Sequence, residues 1–285
     1  MMKKLVWTAI WMIVVGVVGM LFYGFQFDEE EPAVPYELKW AFNADELDQL
    51  VINSNYGSVI QFTKSTDGTN HIEIKGNAPS KAINQIKSST ISNKKLEINS
   101  KVEKNIGLLH VQLTETSLHH QITVSLSDKA KIDNLKVSAD NGNVVLNNVT
   151  VRNAEIHTAL GGVTLSNLTT NTVRAETDMG MITGSKINGR LYAITGSGNV
   201  DIDHMSGDSI ILTKSGEVNL FQDYVASAQI GTSVGNVTIS LPSRYSGRFD
   251  LKTNLGQIKE PKTTGESDQL IKVVSDVGNI TVIQR

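Results

Sequence analysis

The strongest constraint on this chain is that it repeats itself at nearly constant spacing. The pattern is apolar, any, Thr/Ser, any, any, Gly, any, Val/Ile, any, usually apolar. It reads VSADNGNVVL from Val137, IHTALGGVTL from Ile156 and AETDMGMITG from Ala175. It continues as AITGSGNVDI from Ala193, ILTKSGEVNL from Ile211 and IGTSVGNVTI from Ile230. Looser copies are LKTNLGQIKE from Leu251 and VVSDVGNITV from Val273. The anchor residues are Gly142, Gly161, Gly180, Gly198, Gly216, Gly235, Gly256 and Gly278, spaced 19, 19, 18, 18, 19, 21 and 22 apart.

The columns have a physical meaning. Two residues after each glycine stands Val or Ile: Val144, Val163, Ile182, Val200, Val218, Val237, Ile258 and Ile280. Seven and five residues before it the chain is mainly apolar, as at Leu135 and Val137 or Leu191 and Ala193. Period-two alternation on both sides of a glycine predicts strand, turn, strand. Glycine permits the positive φ of a sharp corner. Three residues before it runs a ladder of Thr158, Thr177, Thr195, Thr213, Thr232, Thr253 and Ser275. These hydroxyls can bond the corner backbone. A period near 19 is too short for a propeller blade and suits one coil of a parallel β-solenoid. Eight coils about 4.8 Å apart would stack to roughly 34 Å.

Residues 39–131 read differently, as a β-rich cap for one end of the coils. Leu50–Phe62 (LVINSNYGSVIQF) is close to a ninth copy. Alternation predicts strands at His71–Lys75, Lys95–Ser100, Leu108–Thr114 and Gln121–Leu126. Pro79–Ile91 can form a short helix with Ala82, Ile83 and Ile86 on one face. The coil domain spans 132–285. Its last copy ends with only Gln284 and Arg285 beyond it, which predicts an open coil there.

Before the cap lies a different kind of segment. Residues 1–4 are a basic tip ending in Lys3 and Lys4. Leu5–Phe27 then runs 23 residues without a charge, long enough as a helix for a bilayer core of about 30 Å. Trp7 and Trp11 sit towards one end, and Phe22, Tyr23, Phe25 and Phe27 towards the other, as interfacial belts do. Asp28–Glu31 follows, and residues 28–38, with Pro32 and Pro35, read as a stiff tether. A cleaved signal peptide would have a shorter apolar run ending at a small-x-small site. The expectation is a single-pass cell-membrane anchor with a cytoplasmic N-terminus and an extracytoplasmic main domain.

Composition excludes several chemistries. With no cysteine, disulfides, thiol catalysis and thiolate metal sites are ruled out. The net charge is −3, and without Lys3 and Lys4 24 basic residues face 29 acidic ones. That balance does not suit a nucleic-acid partner. No cofactor motif is present. His110, His119 and His120 lack an acidic partner at ligand spacing, and adjacent strand residues point to opposite faces. They read as exposed strand histidines, not a metal site. Gly196-Ser197-Gly198 is not a nucleophile elbow. Leu241-Pro242-Ser243-Arg244-Tyr245 starts like a wall-sorting signal but lacks its Thr-Gly.

Two outward features remain. Asp201, Asp203 and His204 lie together on one strand, the two aspartates on a shared outward face with Thr183 and Asn219 expected beside Asp201. Paired carboxylates suit acid–base work or calcium, but without further acids or bases alongside they read as solvated charge. Tyr192, Ile194, Ile210 and Leu212 form a two-by-two apolar block on adjacent coils, where other coils carry Lys136, Glu155, Arg174, Glu176 and Lys252. A contiguous exposed apolar patch marks an interface.

The Gly-x-Val rungs, the phrase ITVSLSDKAKIDNLKVSADNGNVVL (122–146) and SLPSRYSGRFDLKTNLGQI (240–258) resemble a bacterial family of proposed adhesins of unknown function with β-strand repeats. The resemblance covers roughly 40–285. With its anchor, the chain looks most like the membrane-anchored member of the Lia cell-envelope stress operon in Firmicutes. The resemblance implies a parallel β-solenoid outside the cytoplasm, linked to envelope stress or surface interaction, with no catalytic motif to carry over. The leading expectation is a non-enzymatic binding or scaffold protein whose partner is a cell-wall polymer or an envelope protein. A β-helix enzyme acting on an envelope glycan through Asp201 and Asp203 is one alternative. A regulatory partner of a membrane sensor, acting through the helix near Trp7 and Trp11, is another.

Overall fold

A computed structural model describes residues 11–16, 32–55, 57–101 and 119–285. The chain divides into two compact units, Met1–Pro32 and Ala33–Arg285. In the first, residues 11–16 are helical, and most of the expected anchor Leu5–Phe27 lies outside the described residues. No helix among the described residues is long and apolar enough to cross a membrane.

Among its described residues the second unit is all-β apart from one short helix, with an 18-stranded sheet that is largely parallel. Three long strands carry the regular coils: β7 (Ile132–Leu160), β8 (Val163–Met179) and β9 (Ile182–Ser197). Each holds the second part of one coil and the first part of the next. Their parallel pairing joins equivalent positions of successive copies, Val144 to Val163 to Ile182 and Ile156 to Ala175 to Ala193. β10 (Val200–Ser206), β11 (Ser209–Ser215), β12 (Val218–Gln222), β13 (Ala228–Val234) and β14 (Val237–Leu241) continue the stack. The Val/Ile column points inward: Val144, Val163, Ile182, Val200, Val218 and Val237 are all buried. Each such side chain contributes roughly 1.5–3 kcal/mol on burial.

Every regular coil turns at more places than the glycine pattern predicts. Beyond the glycine corner lies a second one, where Asn148, Asn167, Lys186 and His204 adopt φ of 50–55°. Asn tolerates this left-handed conformation better than most residues. The Asn167 amide also donates to Asn148 Oδ1 at 3.0 Å. Because the column then changes to Lys and His, no residue type marks it in the sequence.

The glycine corner itself is set by close approach of successive coils. A Cβ built on Gly198 would lie 1.9 Å from the carbonyl oxygen of Gly180, and one on Gly180 equally close to that of Gly161. Gly198 also needs its φ of 154°, whereas Gly180 and Gly142 are not among the positive-φ residues. Proximity alone therefore accounts for glycine at those two. The same oxygens accept the hydroxyl ladder. Thr158 donates to Gly142 at 2.9 Å, Thr177 to Gly161 at 2.9 Å and Thr195 to Gly180 at 3.0 Å. These threonines are almost fully buried, so the bonds satisfy donors that water cannot reach.

Stack order departs from chain order at both ends. β2 (Gln49–Ser54) and β3 (Ser58–Lys64) pair in parallel with β7, joining Leu50 to Leu135 and Ile60 to Val144. The Leu50–Phe62 copy is thus a coil of the stack, with Ser58 in place of Gly142's corner. Outside it lie β5 (Lys95–Ser100) and β6 (His119–Leu126), which come later in the chain. β6 pairs antiparallel with β4 (Asn70–Ala78), and β4 with β1 (Val34–Phe42), which begins inside the stretch read as a tether. The helix Ser80–Lys87 buries Ala82 and Ile86, and Trp40 Nε1 donates to the Ser89 carbonyl at 2.9 Å.

At the other end β15 (Arg248–Leu255) and β16 (Ile258–Lys259) precede β17 (Leu270–Val277) and β18 (Ile280–Gln284) in the chain. In the sheet β17 lies between β13 and β15, and β18 between β14 and β16. The last copy is therefore inserted, and the open coil is the one before it. This corrects the expectation from chain order. The hydroxyl ladder follows the stack: Ser275 donates to Gly235 and Thr253 to Gly278. The lengthened spacings of 21 and 22 are the sequence trace of this detour.

One histidine also differs from expectation. His119 is exposed, but His120 is 1% exposed, and its Nδ1 lies 2.6 Å from the Tyr36 hydroxyl. His110 lies outside the described residues. Burial, with a smaller contribution from His119, pushes the His120 pKa down to about 4.

Two outcomes are expected. Gly198→Ala should cost roughly 3 kcal/mol or more in chemical denaturation. Gly68→Ala, at an open turn with nothing within 4 Å, should cost only about 1 kcal/mol. Equal losses would contradict the close-approach account. For His120, the unfolded chain takes up its proton near 6.5 and the folded one only near 4. Stability should thus fall as pH drops through that window, by up to about 3 kcal/mol. Denaturation midpoints at pH 7, 5 and 4 test this, and His120→Gln should remove that part of the slope.

Candidate functional site

Strand alternation sends every second side chain of the stacked coils outward, so outward residues form columns across neighbouring coils. Two outward surfaces combine residues that could bind something.

The first lies on the strands before the glycine corner. Parallel register sets Tyr192 beside Ile210 and Ile194 beside Leu212. Leu212 is 38% exposed, and the other three are half-buried. The next coil contributes Gln229 and Gly231, and the inserted coil then brings Lys272 and Val274. Gly231 leaves room for its neighbour, since a Cβ there would lie 3.1 Å from Leu212 Cδ2. Val274 is 40% exposed beyond it. The apolar column thus runs Ile194, Leu212, Gly231, Val274. Sequence reasoning missed Val274 because its copy is last in the chain but not last in the stack.

Ion pairs border this block. Lys136 meets Glu155 at 3.2 Å and Arg174 meets Glu176 at 2.9 Å on one side. Lys272 meets Asp250 at 3.7 Å on the other. Exposed pairs of this kind contribute little stability. They keep the flanking surface hydrated and leave the apolar block as the part most easily desolvated.

The second surface lies after the glycine corner and forms an open groove of about 480 Å³. It is lined by Asp201, Asp203, Asn219, Phe221 and Arg285, with Thr183, Thr238 and Ser240 among its other walls. The register pairs Asp201 with Thr183 and Asn219, and Asn219 Nδ2 donates to Asp201 Oδ1 at 2.7 Å. His204 sits between two carboxylates, its Nδ1 2.9 Å from Asp223 and its Nε2 3.5 Å from Asp203. Its ring meets Phe221 edge-on at 5.0 Å, and the Arg285 guanidinium lies 5.2 Å from the Phe221 centroid. The groove therefore offers acids, an amide, hydroxyls, a cation and an aromatic ring. Asp201 and Asp203 were visible as a pair in the sequence. Phe221 was missed although it stands as far after Gly216 as Asp203 does after Gly198. Arg285 carries no such signal, since the inserted last coil brings it there.

Among the described residues no cluster of three or more His, Asp or Glu is arranged to hold a metal ion. Leu241–Tyr245 serves the fold: Tyr245 N bonds the Pro242 carbonyl, and the buried Tyr245 ring stacks on Phe249 at 5.5 Å.

A family model described as Toastrack DUF4097 matches residues 47–283, and the chain belongs to that family. No curated protein matches the chain. Among solved structures it is similar to a proposed adhesin from Bacteroides fragilis, at 13% identity and a TM-score of 0.46, over 88% of this chain and 97% of that one. It is also similar to a proposed lipid-binding protein from Parabacteroides distasonis, at 12% identity and a TM-score of 0.42, over 88% and 96%. A proposed cell adhesion protein from Clostridium sporogenes aligns at 15% identity and a TM-score of 0.32, over 88% and 100%.

Proposed function

We propose that this Toastrack-family chain is a non-enzymatic binding module of the bacterial cell envelope. In this reading Leu5–Phe27 anchors it in the cell membrane, with the N-terminus cytoplasmic and the coil domain outside. The observation that carries the proposal is the outward apolar block of Tyr192, Ile194, Ile210 and Leu212, bordered by ion pairs. Rigid parallel coils hold those side chains at fixed spacing, so little conformational entropy is lost when a partner docks. An envelope protein, or the less polar faces of a wall polymer, fits such a block. The uncharged run after Lys3 and Lys4 supports the anchor. The likeness to LiaG, the membrane-anchored member of the Lia operon, supports a role in the envelope stress response.

A second reading rests on the groove. Its acids, Arg285 and the Phe221 ring have the chemistry of a glycan site, and a glycan-cleaving enzyme would draw on Asp201 and Asp203.

The first test is retention of residues 33–285 on isolated cell wall, membrane vesicles and solubilised envelope proteins. Saturable retention by one fraction is expected, lost in Ile210→Asp and in Leu212→Glu while the denaturation midpoint holds. Unchanged retention in both variants would remove the block from the mechanism. For the second reading, purified protein is incubated with cell-wall glycan and reducing ends are counted. Release that disappears in Asp201→Asn would replace the binding-module proposal with the enzyme.

A further inference from the structure

The inserted last copy leaves β15 and β16 as the outermost coil. β15 pairs with β17 on one side, and no described strand pairs with its other side. Its inward positions are unfinished. Leu251 belongs to the column of Ile156, Ala193, Ile211, Ile230 and Val273, all buried, yet Leu251 is only half-buried. Ile258 belongs to the column of Val200, Val218, Val237 and Ile280, which are at most 1% exposed, yet it is 43% exposed. Tyr245 stacked on Phe249, and Thr263 donating to the Gly247 carbonyl, cover the start of the coil but not this part. An open parallel edge over an apolar interior is what a coil stack has to cover.

The rest of the structure narrows what can cover it. Head-to-tail stacking is blocked, because at the other end β4 takes the edge of β6 and the helix Ser80–Lys87 packs against β5. A two-fold, tail-to-tail contact uses only the open end of each copy. The β15 sequence suits it. Asp250 and Lys252 flank Leu251 symmetrically, on the outward face. When such a strand meets its own copy antiparallel about Leu251, Asp250 of each faces Lys252 of the other. Leu251 then meets Leu251, Phe249 meets Thr253, and Arg248 meets Asn254. Charged residues often guard edges against pairing. Here their alternating sign makes the edge complementary to itself.

We propose that the open coil edge is closed by a second copy of this chain, through antiparallel pairing of β15 with its counterpart about Leu251. This dimer uses the coil edge and not the block of Tyr192, Ile194, Ile210 and Leu212, although Asp250, paired with Lys272 at the border of that block, lies on both.

The absence of cysteine from the chain makes the test clean. In the proposed register the two Leu251 Cα atoms lie about 4.5–5.5 Å apart, within disulfide range. Full-length Leu251→Cys in detergent, under mild oxidation, should give a covalent dimer. Lys214→Cys, exposed on a central coil, should give several-fold less. Adding Lys252→Asp, which sets acid against acid, should remove the dimer. Combining it with Asp250→Lys should restore it, and that rescue separates charge complementarity from misfolding. A Leu251→Cys yield no higher than that of Lys214→Cys overturns the proposal. So does cross-linking to a different polypeptide, or a yield indifferent to the charge variants.

Discussion

The fold depends on how closely successive corners approach. Parallel coils sit about 4.8 Å apart, and at the corner one backbone carbonyl points straight at the next coil's Cα. Only glycine leaves space there, as Gly180 and Gly198 show, where a Cβ would fall 1.9 Å from an oxygen. The same carbonyl accepts a buried hydroxyl from the next coil, as Gly161 does from Thr177. One atom thus excludes a side chain and satisfies another. The hydroxyl ladder is structural along its length, and it tracks spatial neighbours where chain neighbours differ. Thr253 bonds Gly278, not Gly235.

A stack of this kind has two ends, and each is handled by departing from chain order. At the first, the β5–β6 coil is laid outside β2–β3, and β4 and β1 turn the parallel edge into an antiparallel one. His120 is buried against the half-buried Tyr36 where these strands meet, which ties the cap's stability to a neutral imidazole. At the second end the last copy slides inside its predecessor. That insertion places Val274 in the apolar column of Leu212, beyond Gly231, and leaves β15 outermost. A single topological detour therefore shapes both the lateral apolar block and the terminal edge.

The two outward surfaces differ in what they ask of a partner. The block around Leu212 has few polar groups and rewards desolvation. The groove around Asp201 and Phe221 has acids, an amide and Arg285 close to an aromatic ring, so it rewards directed hydrogen bonds. Family membership leaves the choice to these surfaces, since a fold hosts many functions.

The sequence by itself determined the period, the glycine corners, the inward Val/Ile column and the hydroxyl ladder. All of these are local in register, and each repeats because every regular coil meets the same neighbours. It also showed Tyr192, Ile194, Ile210 and Leu212 as one block, because those coils are adjacent in both chain and stack. The tertiary structure alone decided the order of the end coils, since pairing energy depends on which strands meet and not on their order along the chain. It also decided the second corner, where Asn148, Asn167, Lys186 and His204 share a backbone conformation but no side-chain type. And it decided the company of Asp201: Arg285 reaches the groove only because the last copy is inserted beside β14.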